Sequence, residues 1–105
     1  MQVRLTTVAT RQLEAILAYV AAENPAAARR IADRIDEIRE FLSRNPHAGY
    51  RLPRGRLRRF AVRPFPYLIY YEISGQTVRI IRIRHAARYR RAFHEPAVLF
   101  RAGNL

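Results

Sequence analysis

His85 closes a run, Val78 to Arg84, in which apolar residues alternate with arginine apart from the adjacent Ile80-Ile81, and Arg84 and Arg88 stand close to it on either side. An imidazole beside two guanidiniums could move a proton while they hold a phosphodiester. The same histidine could instead bond the backbone where the chain leaves a sheet. Arg59, Arg63, Arg79, Arg82 and Arg84 would give that sheet a basic surface, and Tyr67, Tyr70 and Tyr71 could stack on bases. Spacing separates the tyrosines. Tyr67, Ile69, Tyr71 and Ile73 recur at period two and share one face, which makes Tyr67 and Tyr71 core residues. Leu68, Tyr70 and Glu72 point the other way, so Tyr70 is the tyrosine offered to a binding surface. Guanidinium forks suit carboxylates and phosphates alike, so residue type leaves the partner open.

Other chemistries have no support in the pattern. The three histidines, at 47, 85 and 94, have no acidic pair at ligand spacing, so no metal site is expected. There is no glycine-rich phosphate loop and no Ser/His/acid order, and no cofactor is expected. The chain has no cysteine, which excludes disulfides and thiolate metal sites. No apolar run approaches the ~20 residues that span a bilayer, and the N-terminal stretch lacks the apolar core of a signal peptide. No membrane partner and a cytoplasmic location are the expectation.

The net charge is +12, and all 20 basic residues are arginine. Residues 1–45 carry seven arginines against six acids, whereas residues 46–105 carry thirteen against two. A neutral half and a basic half point to a polyanionic or acidic partner, nucleic acid or an acidic protein segment.

The elements that must position these residues follow from periodicity and caps. Gln2 to Leu5 can form a short strand, and Thr6 or Thr7 can cap a helix over Val8 to Ala22 with Leu13, Ile16, Leu17 and Val20 on one side. Asn24-Pro25 ends it and opens a second helix to about Arg44, with Ala28, Ile31, Ile35, Ile38 and Leu42 as its apolar stripe. Asn45-Pro46 stops that helix, and the short link makes the pair an antiparallel hairpin. Leu57 to Arg63, Tyr67 to Ile73 and Val78 to Arg84 then read as a three-stranded antiparallel meander, turned at Ser74-Gly75-Gln76-Thr77. Ile80-Ile81 marks a central strand or a bulge. The strand residues expected in the core are Phe60, Val62, Tyr67, Ile69, Tyr71 and Ile73, and the loop 46–55 should turn Tyr50 and Leu52 inward. Ala86 to Phe93 can form a short helix. The fold class is α+β: a two-helix hairpin on one face of a small, mainly antiparallel sheet, in the order β-α-α-β-β-β. Residues 1–105 form one domain, with a core of about 2–94 and a tail over 95–105.

This order resembles the RelE/ParE superfamily of toxins from bacterial type II toxin–antitoxin systems, and the local patterns are similar to its ParE branch. They are Asn24-Pro25-Ala26-Ala27-Ala28 after the first helix, Leu42 to Gly49 at the close of the second, Gly55-Arg56-Leu57-Arg58, Tyr67 to Tyr71, and Ile81 to Arg88. Together they cover roughly residues 3–90. The chain departs from the family at Ala86, where a glycine is usual, and at Tyr89, where an acid is usual. The resemblance to ParE implies inhibition of DNA gyrase without chemistry of the toxin's own, and a hetero-oligomer with a cognate acidic antitoxin. That partner or the target would be bound through Arg59, Arg63, Tyr70, Arg82, Arg84 and Arg88. The antitoxin would cover the helix hairpin, with Tyr19 and Ala22, and an open sheet edge. The alternative within the superfamily is a RelE-like, ribosome-dependent mRNA endonuclease using Arg58, His85, Arg88 and His94. Against it stand the missing lysines and Leu68, which occupies the slot of the nucleases' sheet arginine. A histidine at the place of His85 also occurs in members not known as nucleases, which favours its structural role. A non-toxic relative that only binds antitoxin is the third possibility.

Overall fold

The computed structural model describes residues 1–87; Arg88, His94 and the expected helix beyond Ala87 lie outside the described residues. Gln2–Leu5 forms β1. Thr6 stays extended, and its Oγ1 accepts a hydrogen bond from Ala9 N–H at 3.1 Å, satisfying a donor that the first turn of a helix leaves open. Helix α1 follows over Thr7–Ala21. Asn24 caps α2, Pro25–Arg44, by accepting from Ala27 N–H at 3.0 Å, and Pro25 at the first helical position gives up no needed donor. The stripe Ala28, Ile31, Ile35, Ile38 and Leu42 is buried as its spacing requires. Glu40 pairs with Arg44, while Glu37 pairs with Arg34 one turn back.

The remaining strands are β2 (Tyr50–Arg51), β3 (Arg58–Ala61), β4 (Tyr67–Ser74) and β5 (Thr77–His85). The sheet has five strands in the order β1-β5-β4-β3-β2, with β1 parallel to β5 and every other pair antiparallel. The meander is therefore flanked on both sides. On one side β1 docks on β5; on the other β2 adds a strand that the sequence reading placed in a loop. Its two residues are too few to show a period. They also expose Tyr50, at 44%, where inward packing was expected.

The pair Ile80-Ile81 forms a bulge. Tyr71 faces Ile80 and Tyr70 faces Arg82, leaving Ile81 as the extra residue. Ile80 and Ile83 are three apart and would point to opposite faces of a regular strand. The inserted residue turns both into the same core, where Val78, Ile80 and Ile83 are all buried. The sheet's helix-covered face packs these three with Val62, Tyr67, Ile69 and Tyr71 against the stripe of α2; Phe60 and Ile73 lie at its margin.

The opposite face is not simply solvated. Leu68 and Tyr70 are buried there in a second cluster with Leu52, Ala61 and Ala86. Strand β4 is central, so its run Tyr67–Tyr71 is buried on both sides.

Tyr71 ties the α2–β2 connection to the sheet. Its hydroxyl donates to Pro46 O and accepts from Gly49 N–H, both at 2.8 Å. A Cβ on residue 49 would lie 2.6 Å from that oxygen, so glycine is needed for the approach. Burial pushes the Tyr71 pKa up, opposed by the Gly49 N–H bond and by the charge of Arg58.

Candidate partner-binding surface

The strand registers gather the expected site residues into rows. Tyr50 faces Arg59, Arg59 faces Tyr70, and Tyr70 faces Arg82. This row runs across four strands on the face away from the helices, alternating aromatic and guanidinium. Ala61, Leu68 and Arg84 form the neighbouring row. Arg59, Tyr70, Arg82 and Arg84 thus share one face. Their accessibility differs from expectation. Arg59 is 3% exposed, with its guanidinium carbon 5.2 Å from the centre of the Tyr50 ring, and Tyr70 is also 3% exposed. Neither is a free surface group: β4 is covered on both faces, and the Tyr50 ring lies over the Arg59 guanidinium in cation–π geometry. Arg82 and Arg84 are half-buried.

Arg63 does not join them. It lies past the end of β3, exposed, with its carbonyl accepting from Arg34 Nε at 2.6 Å. Arg58 is on the helix-covered side. Its Nη1 donates to His47 O at 3.2 Å and to Gly49 O at 3.1 Å, so it supports the same connection that Tyr71 holds. His85 Nδ1 accepts from Ala87 N–H at 3.2 Å, and its ring meets Tyr67 edge to face at 5.5 Å. That is the geometry of a histidine bonding the backbone where the chain leaves the sheet. Of the four residues in the nuclease reading, Arg58 and His85 are described, and the registers set them four residues apart along β4: Arg58 faces Tyr71 and His85 faces Tyr67.

Two further features suit a protein partner. A groove of about 360 Å³ opens between α1 and the end of β5, lined by Gln12, Ile16, Tyr19, Tyr67 and Ile83 among others. Tyr19 stands at 82% exposure. Gln12 was not singled out from the sequence. It accepts from Ile83 N–H at 2.8 Å, and a polar residue on the flank of an apolar helix stripe was the one available signal. The sheet's outer edges are β1 and β2. Thr6 N–H donates to Ile80 O, so the backbone groups of Val3 turn outward, and Arg39 donates to the Val3 carbonyl at 3.3 Å. The β1 edge is therefore partly capped.

Among the described residues no group of His, Asp and Glu could hold a metal ion, and no helix is long and apolar enough to cross a membrane. The arrangement is a basic, aromatic-backed sheet face beside an apolar groove, suited to recognition.

Comparison with known proteins agrees with this architecture. Residues 3–90 match the family model of the ParE toxin of the type II toxin–antitoxin system parDE. The toxin RelE2 of Caulobacter vibrioides is 41% identical over 87 residues, covering 83% of this chain and 97% of that protein. A solved structure of a chromosomal ParDE toxin–antitoxin system from P. aeruginosa superposes with a TM-score of 0.70 at 23% identity, covering 81% of this chain and 95% of that one, and so shares the fold. With the strand order, the capped helix hairpin and the family match in agreement, the chain belongs to the ParE toxin family of type II toxin–antitoxin systems, within the RelE/ParE superfamily.

Proposed function

We propose that this toxin acts by inhibiting DNA gyrase, cleaves no RNA, and is neutralised by a cognate acidic antitoxin. The observation that carries the reading is Leu68. At the slot where the nuclease branch has a sheet arginine, this chain has a leucine fully buried in the far-face cluster. No guanidinium can occupy that place without a buried charge, which is costly unless paired. Arg58 supports the choice, since its guanidinium holds backbone carbonyls of the α2–β2 connection. The same reading puts the chain in the cytoplasm with its target.

Purified gyrase should lose supercoiling activity when the toxin is added, while messenger RNA on translating ribosomes stays intact. Cut messages with normal supercoiling would reverse the assignment in favour of the endonuclease.

A further inference from the structure

Between Glu40 and Glu72 the chain carries seven arginines and no acidic residue. Three of them, Arg51, Arg54 and Arg56, lie on the hairpin that joins β2 to β3, and all three are exposed. Three arginines outside this hairpin are paired with acids: Arg34 with Glu37, Arg44 with Glu40 and Arg79 with Glu72. Among the described residues Arg51, Arg54 and Arg56 have no acidic side chain within ion-pair distance. The hairpin is nonetheless built. Gly55 takes φ +72 in its turn, a conformation that favours glycine, and Arg51 Nη2 donates to Gly55 O at 3.3 Å. The register places Arg51 beside Arg58, and Tyr50, 44% exposed, flanks the arginines on the other face of the strand. Three cations without counter-charge on a short hairpin repel one another, and an external anion relieves that repulsion.

Shape selects the anion. A lone acidic peptide gains little from exposed guanidiniums, because solvent-exposed ion pairs are worth only about 0.2–1 kcal/mol each, and a hairpin tip has no walls to strengthen them. A duplex presents the reverse surface, a groove about 12 Å wide that admits a two-stranded ribbon and is lined by phosphates on both sides. Arginine is suited to bidentate phosphate contact. We propose that the β2–β3 hairpin binds the phosphate backbone of duplex DNA through Arg51, Arg54 and Arg56. This holds whether or not gyrase is the target.

The test is a fluorescence-anisotropy titration of a labelled 20-base-pair DNA duplex with the full chain, at several salt concentrations and without gyrase. Three phosphate contacts would contribute a slope of about −2.7 to log affinity against log salt, or about 40-fold weaker binding between 50 and 200 mM salt. The variant Arg51→Gln/Arg54→Gln/Arg56→Gln should lose that part of the slope, and the matching lysine triple variant should keep most of it. The control Arg11→Gln/Arg29→Gln/Arg30→Gln, on the exposed faces of the helices, should bind as wild type. Thermal melting of each variant verifies folding, and the lysine variant separates lost charge from lost structure. Absence of wild-type binding at low salt would overturn the proposal, as would an equal loss in the helix control. Preference for single-stranded RNA of the same length would overturn the assignment to duplex DNA. Poly-glutamate binding that depends on the hairpin, with DNA binding unchanged in the glutamine variant, would give the hairpin to an acidic protein segment instead.

Discussion

Tyr71 joins two stretches of backbone through one polar atom. Its hydroxyl satisfies Gly49 N–H and Pro46 O together, at the point where α2 hands over to the sheet. Tyr71→Phe keeps the ring packed and leaves both backbone groups without their partner. The cost should be about 1–3 kcal/mol, read from chemical denaturation at neutral pH. The phenol also gives stability a pH signature. Its folded pKa is raised above the ordinary 10.0, chiefly by burial. The unfolded chain therefore ionises first. Stability from this group is intact below pH 10 and is lost as pH climbs from there through the folded value. The difference in unfolding free energy between wild type and Tyr71→Phe should shrink over that alkaline window, and a constant difference would show that the phenol is not the titrating group.

At the scale of elements, Thr6 links a strand, a helix and the bulge. Its Oγ1 accepts from Ala9 N–H and donates to Ile81 O at 3.3 Å. Thr6→Ala should cost about 1 kcal/mol through the lost cap, seen as a lower melting temperature, and amide exchange should rise first at Ala9 and around Ile81. Both helices were legible because their signals are local: a capping Thr6, Asn24-Pro25, and an apolar stripe at helical spacing. The bulge was legible as one of two options for Ile80-Ile81, and the register decided it. Strand β2 was not legible, since Tyr50–Arg51 owes its extension to pairing with β3 and not to any pattern of its own. The site was half legible. Period two placed Arg59, Tyr70 and Arg82 correctly on one face. It could not say whether that face was wet, because coverage of a sheet depends on what else the chain lays against it. The unbroken apolar run Tyr67–Tyr71 was the available sign of a strand buried twice.

Across the whole molecule, charge and apolar exposure lie in different places. The helix hairpin and its groove offer Tyr19 and apolar lining, while the arginine excess lies after residue 45. An antitoxin segment with both apolar and acidic stretches would use both. Binding it should raise amide protection in α1 and α2 and along the β2 edge, more than along β1, where Arg39 already caps Val3. Hydrogen exchange with and without antitoxin checks this; unchanged protection in the hairpin and in β2 would exclude that footprint.

The parallel pairing of β1 with β5 joins Gln2 to Thr77 and Leu5 to Ile80. A nascent chain emits its first strand early and holds it without a neighbour until nearly the last described residues have left the ribosome. The β4–β5 hairpin, by contrast, closes locally as soon as Gly75 and its flanks emerge. Contacts so distant along the sequence are slow to form. The five-stranded sheet is thus complete only once β5 has emerged, and until then β1 lacks the one neighbour that the folded sheet gives it.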